Sequence, residues 1–313
     1  MKVEGHYIPG QLFIHKLFGY RGVVLIPWTC KIHDRDNPVI SGSNFEEKFP
    51  EAMDSTRSIS NKKKRTHSYY LILRDNRDLP YIKNRVLTEH ITYLNQSSGQ
   101  CENGIPGLDY VDHQDILPYV TQDKYPIDHP LISKFITPSL DSDNYPMYKD
   151  NMSIFKHKYL KLNDHLLNFL KNHYNFLKLT DVHKETTENI CVRVLPFYMG
   201  SWITPFKKLY WWRYCVYLEN IGGLPVQLRE RNWRILPVNG MPLEKIRARA
   251  VFDHEPVLSK EEPAFQYSAF VKLQSPEGHM WGHFKMERED GTFFECRIPP
   301  FALESTKPDD KPN

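Results

Sequence analysis

Between Glu188 and Phe301, apolar residues recur at every second position through one segment after another. Within 210–218, Tyr210, Trp212, Tyr214, Val216 and Leu218 share a parity. Successive side chains leave a strand on opposite faces, so this spacing predicts an extended segment with one buried face. Comparable segments cover 190–194, 226–236, 265–273, 280–286 and 293–298, separated by Gly, Pro and Asn turns. Short strands at that interval predict an antiparallel sandwich of immunoglobulin size. One segment breaks phase. Val226 and Leu228 share a parity that Trp233 and Ile235 do not, which predicts an extra residue, a bulge, within 229–232.

The first 120 residues carry shorter runs. Segments 11–16 and 23–28 flank the turn Gly19-Tyr20-Arg21-Gly22, strand character returns at 67–74, and a closing element runs from 108–111 to 116–119. Short strands with long connections predict a small, partly open β-barrel. Residues 34–66 are polar and end in Lys62-Lys63-Lys64-Arg65, the pattern of a flexible insertion. Pro126, Pro130, Pro138 and Pro146 mark 121–150 as an extended linker, because proline neither donates to a ladder nor continues a helix. Phe155, Tyr159, Leu162, Leu166, Leu170 and Tyr174 then follow a helical period, predicting an amphipathic helix over about 152–176. Its apolar stripe is expected to pack on the chain itself, the alternatives being a membrane surface or a partner's groove. Residues 304–313, rich in Pro, Asp and Lys, predict a disordered tail.

At 313 residues the chain exceeds what one core ordinarily serves, so two domains are expected. The net charge of +3 is evenly spread: residues 1–125 carry 16 Lys+Arg against 15 Asp+Glu, and residues 181–313 carry 18 against 18. That balance argues against a dedicated nucleic-acid binder while leaving room for a local patch. Cys30, Cys101, Cys191, Cys215 and Cys296 are odd in number and never form CxxC, which argues against a disulfide framework or a thiolate zinc site and fits a reducing compartment. No apolar run is long enough to cross a bilayer, and strand-like sequence begins within about a dozen residues of Met1, which argues against a signal peptide or Arg-rich presequence in this chain.

No Ser/His/Asp, Cys/His or paired-carboxylate constellation falls in 188–301, so neither a catalytic residue nor a cofactor is expected. His279 and His283 are four apart, which on a strand separates them by about 13 Å, too far to grip one metal ion. His183, Glu185 and Glu188 lie near a predicted strand start, where they would hold a turn or an interface. Three candidate binding features remain. Lys62, Lys63, Lys64 and Arg65 form a basic run suited to a phosphate or an import receptor, or to nothing beyond a solvated loop. Arg229, Arg231, Arg247 and Arg249, with Arg234, surround the proposed bulge; their planar forks suit an anion or an acidic peptide, or simply Glu230, Glu244 and Glu255. Trp202, Trp212, Trp233 and Trp281 are expected mostly in the core. Trp211 has the opposite parity and is a candidate surface anchor.

Longer motifs carry a resemblance. Val226-Gln227-Leu228-Arg229-Glu230-Arg231-Asn232-Trp233, Glu255-Pro256-Val257-Leu258, Gly278-His279-Met280-Trp281-Gly282 and Ile298-Pro299-Pro300-Phe301 resemble the ApaG family. Gly10-Gln11, Gly19-Tyr20-Arg21-Gly22-Val23-Val24 and Tyr69-Tyr70 resemble the bacterial HspQ/YccV domain, named for hemimethylated-DNA binding. The two in this order, joined through 181–190 and followed by Tyr210-Trp211-Trp212-Arg213-Tyr214-Cys215, resemble the polymerase delta-interacting protein 2 family. That resemblance implies a non-enzymatic adaptor for replication factors, namely the small subunit of DNA polymerase delta and the sliding clamp, and for the mitochondrial ClpX unfoldase. It also implies a mitochondrial matrix address with a nuclear fraction. ApaG domains typically carry a Gly-x-Gly-x-x-Gly segment where this chain has Ala248-Arg249-Ala250-Val251-Phe252-Asp253, and losing glycine weakens any phosphate cradle.

The expected architecture is mainly β. An SH3-like, partly open barrel (1–120, with the insertion at 34–66) is followed by a linker and amphipathic helix (121–180), an immunoglobulin/fibronectin-III-like sandwich (181–303) and the tail. The expected function is docking without chemistry. The alternatives are DNA binding through the first unit and, after the glycine losses the weakest, chemistry on a phosphorylated small molecule.

Overall fold

The computed structural model describes residues 6–37, 66–82, 93–94, 101–102, 106–121, 123, 125–138, 160–238 and 242–305. Lys62, Lys63, Lys64 and Arg65, the linker from 139 to 159 and the tail from 306 lie outside the described residues. The first half holds Leu12–His15 (β1), Arg21–Asp34 (β2), Thr66–Arg74 (β3), Tyr93–Leu94 (β4), Cys101–Glu102 (β5), Leu108–Asp112 (β6) and Ile116–Pro118 (β7). The predicted insertion is therefore strand at both described ends, since Asp34 closes β2 and Thr66 opens β3. Between the halves lie Ile132–Phe135 (α1), Ile136–Pro138 (β8), Leu160–Leu162 (β9) and Asp164–Leu177 (α2). The second half comprises Asp181–Thr187 (β10), Ile190–Ile203 (β11), Lys208–Asn220 (β12), Val226–Pro237 (β13), Glu244–Arg249 (β14), Val257–Leu258 (β15), Ala264–Leu273 (β16), Glu277–Arg288 (β17) and Phe293–Glu304 (β18).

The helix begins at Asp164, later than the periodicity predicts. Asn163 keeps an extended backbone and its side-chain oxygen accepts from the His165 N–H, a cap that sets the first turn, while β9 pairs with β8 just before it. Residues 152–159 lie outside the described residues. Leu166, Leu170 and Leu177 are buried, and Tyr174 meets the ring of Trp28 at 5.6 Å, so the apolar stripe packs on the chain itself as expected.

Two large sheets result. The larger runs β16-β12-β11-β10-β2-β1-β7, with β3 on β2 and β6 on β3; the smaller runs β14-β13-β17-β18, with β15 on β13. The two halves share the larger sheet. β10 pairs with β2 in parallel, placing Asp181 opposite Lys31, His183 opposite His33 and Lys184 opposite Asp34. Across that seam the rings of His33 and His183 stack at 4.5 Å, the Thr186 N–H and hydroxyl donate to Asp36 at 2.7 and 2.6 Å, and Lys184 lies 3.6 Å from both Asp34 and Asp36.

Alternation along these strands feeds three cores. Phe13, Val24, Tyr70, Ile72 and Val111 fill the barrel, while Val23, Leu71, Leu73 and Tyr110 leave its strands on the other side. That second set packs against Leu166 and Leu170 of α2 and Leu195, Phe197 and Cys215 of the sandwich. Val192, Trp212, Tyr214, Trp233, Phe284 and Phe301 fill the interior of the sandwich itself. The expectation of one buried face for 210–218 is therefore incomplete: from Trp212 to Leu218 every residue is buried, because the barrel covers the face opposite the sandwich core. In β13 the register against β17 shifts between Leu228 and Glu230, making Arg229 the extra residue and keeping Val226, Leu228, Trp233 and Ile235 on one inner face, as the phase break predicts.

Gly282 of β17 sits opposite Trp233 of β13, and a Cβ there would overlap the Asn232 carbonyl. Backbone cannot yield as a side chain does. Gly282→Ala is expected to lower stability by about 3 kcal/mol, read from the urea midpoint at constant slope.

Candidate interaction site

The outer face of the smaller sheet is built by the parity of β13. Trp233 and Ile235 point inward, so Glu230, Asn232 and Arg234 point out, with Arg249, Arg247 and Lys245 beside them on β14 and Lys285, His283 and Trp281 on β17. The bulge aims Arg229 at two carboxylates, Glu255 and Glu287. Glu255 also accepts from Arg249 at 2.7 Å, and Glu230 accepts from Arg247 at 2.7 Å with Lys285 at 3.5 Å. Hydrogen bonds from these guanidinium groups, Arg247 to Glu230 and Arg249 and Arg229 to Glu255, hold both carboxyls below the ordinary range. All are at the surface, where such pairs add little stability.

The structure thus brings Arg229, Arg247 and Arg249 together around shared glutamates. It sends Arg231 to the opposite side, where the guanidinium lies 5.0 Å from the ring of Phe252. Trp211 lies on β12 of the other sheet, half-buried, with the Lys272 ammonium 5.6 Å from its ring. His279 and His283 occupy one strand, β17, and His283 reaches Glu295 at 3.5 Å. His183 is part of the seam: burial, and the neighbouring His33, push it down to about 4, so it stays neutral near pH 7. Glu185 joins Arg35 and Arg297, each at 3.5 Å.

A second constellation escaped the sequence. Arg193 of β11 is largely enclosed between the halves, its side chain 11% exposed, reaching Asp112 at 3.0 Å, Glu219 at 3.0 Å and Asp115 at 3.6 Å, with its guanidinium 4.0 Å from the ring of Tyr217. His67 donates at 2.7 Å to the other oxygen of Asp112. Four residues along the same face of β12 from Tyr217, Arg213 is 1% exposed and lies 4.3 Å from the ring of Phe197, while Gln266, opposite Tyr217, donates to Asp109 of β6. The signal was present: Arg193 and Arg213 each interrupt a run of apolar strand residues. Two neighbouring aspartates respond in opposite directions. Burial alone would raise Asp112, yet the hydrogen bond from His67 and the charge of Arg193 bring it down to about 2. Asp115 is also buried, Arg193 is farther away, and the fields of Asp112 and Glu219 add to burial, so it rises to about 6.

A family model described as "Hemimethylated DNA-binding protein YccV like" matches residues 5–142, and one described as "ApaG domain" matches residues 203–288. Polymerase delta-interacting protein 2 of mouse and that of human are each 46% identical to this chain over 314 residues, spanning 99% of it and 79% of their own length. This chain belongs to the polymerase delta-interacting protein 2 family. Protein ApaG of Rhodospirillum centenum is 36% identical over 132 residues, which is 42% of this chain and 100% of that protein.

The stretch after β14 enters the left-handed region without a glycine. Ala250, Phe252 and Asp253, in the stretch where ApaG domains carry Gly-x-Gly-x-x-Gly, have φ of 58°, 49° and 64°. The left-handed region costs an L-residue about 1–2 kcal/mol, so the loop is held by its surroundings. The Ala250 N–H donates to the Arg229 carbonyl at 2.8 Å, and Val251 and His254 exchange a pair of backbone hydrogen bonds. Asp253 is exposed. Asp253→Gly is therefore expected to raise the urea midpoint, by up to about 1 kcal/mol in stability.

The interface makes a separate prediction for pH. Asp115 binds its proton more tightly folded than unfolded, so its contribution is complete below about pH 4 and disappears as pH rises through 6, an effect of about 3 kcal/mol. Asp112 acts in the other direction in a lower window, stabilising above about pH 4 and failing as pH falls toward 2. Asp115→Asn should flatten the stability profile between about pH 4 and 7, seen as a melting temperature at pH 7 no lower than that of the unaltered protein.

Proposed function

We propose that this chain is a non-enzymatic adaptor of DNA replication, repair and mitochondrial proteolysis. In this role it docks on the small subunit of DNA polymerase delta, the sliding clamp and the ClpX unfoldase, in the mitochondrial matrix and the nucleus. The observation that carries the proposal is identity at 46% across 99% of the chain to proteins named for interacting with polymerase delta. The physical design suits tethering. Two β units share one sheet and a buried ionic contact, so a partner held on one stands at a fixed position relative to a partner held on the other. Holding client and machine together raises effective concentration without new chemistry.

The description of the first matched family favours a second activity, DNA binding through residues 5–142. Binding that rests on phosphates falls steeply with added salt, and this segment's charge is near balance. The test mixes the full chain separately with purified polymerase delta small subunit, sliding clamp, ClpX and duplex DNA at two salt concentrations. Co-elution with at least one protein, persisting at the higher salt, is the expected result. Binding to DNA alone, lost at the higher salt, would replace the adaptor by the DNA-binding activity.

A further inference from the structure

We infer that β14 is a docking edge for an extended acidic segment of a partner protein, which adds to the smaller sheet as a further strand. The inference rests on the adaptor proposal and names the surface and the chemistry it would recognise. β14 ends its sheet, and among the described residues no strand pairs with its outer side. The Ala250 N–H donates to the Arg229 carbonyl in the same register that sets Trp233 opposite Ile246. Residues of that parity therefore point their backbone groups toward β13, and Lys245, Arg247 and Arg249 turn theirs to the open edge. An exposed row of backbone donors and acceptors is what a peptide strand completes.

Charge chooses the peptide. Arg234 and Lys245 are register partners in a pair that does not exchange backbone hydrogen bonds, the closer of the two antiparallel spacings, with both side chains on the outer face. Both are exposed, and among the described residues neither has a carboxylate within ion-pair reach, unlike Arg247 and Arg249. Two like charges directly opposite each other oppose folding, and a carboxylate arriving between them turns that repulsion into attraction. On the other side of β14, Ile246 is 45% exposed although it faces the same way as buried Trp233. A strand alternating acidic and apolar residues satisfies both sides: its carboxylates reach Arg234 and Lys245 while its apolar residues cover Ile246. Edge charges also serve to block aggregation, but these side chains lie on the sheet face and leave the backbone accessible, so the edge repels cationic strands and admits acidic ones. A polynucleotide would use the cations and leave the backbone groups unmet.

The test uses the full chain and a labelled peptide of alternating Asp and Val long enough to span β14. Binding is read by fluorescence anisotropy, and the amides of Lys245, Arg247 and Arg249 by hydrogen exchange. Expected are saturable binding, slowed exchange at those three amides, about tenfold weaker binding for the double variant R234E/K245E, and loss of binding when alternate peptide nitrogens are methylated. The milder R234S/K245S, with its melting temperature, guards against a folding defect. Equal binding by the methylated peptide, preference for an oligonucleotide of the same charge, or unchanged exchange would each overturn the inference. The adaptor proposal is judged apart from it: if R234E/K245E still captures a protein partner that the unaltered chain captures, the edge is wrong and the adaptor stands.

Discussion

Arg193 is held by groups that no short stretch of sequence contains. Its guanidinium takes Asp112 and Asp115 from the barrel half and Glu219 from the sandwich half, with the ring of Tyr217 against it. Around this contact the barrel strands, α2 and the outward face of β11 and β12 form one continuous apolar core. Losing Arg193 itself leaves Asp112, Asp115 and Glu219 without their shared cation, which costs about 3–5 kcal/mol, far more than any exposed ion pair of the arginine ladder. The packing of the halves against each other depends on it, together with the parallel seam of β2 and β10.

That arrangement also decides which surface remains for partners. The sandwich has two sheets, and the barrel and α2 occupy the outer side of one of them. The outer side of the other keeps its polar alternation and its cations, and β14 closes it without a neighbour among the described residues. The ladder around Glu230 and Glu255 is self-neutralising, so the cations that matter for recognition are those left outside it.

The Ala248–Asp253 loop separates conformation from composition. Its positive φ values persist at alanine, phenylalanine and aspartate, which shows that the sandwich imposes the turn through β13, β14 and the Val251–His254 bridge rather than through flexible residues. A backbone of that shape without glycine keeps the path of the chain but crowds the approach of an anion, because each Cβ stands where a glycine leaves space.

Local pattern determined the longer strands, a bulge within 229–232, the buried stripe of α2 and the mainly β architecture, because side-chain alternation and turn chemistry act within a few residues; the short β8 and β9 and the edge strand β14 carried no such signal. The candidate arginines were legible as a cluster, and so was their competition with glutamate. Tertiary structure alone decided that β12 is buried on both faces, that Arg231 leaves the cluster and that His183 stacks on His33. It alone chose the partners of Arg193. Each of these joins residues far apart in the chain, such as Lys31 with Asp181 or Asp112 with Arg193, and pairing at that separation is set by the packing of whole sheets, which leaves no mark in the spacing of neighbouring residues.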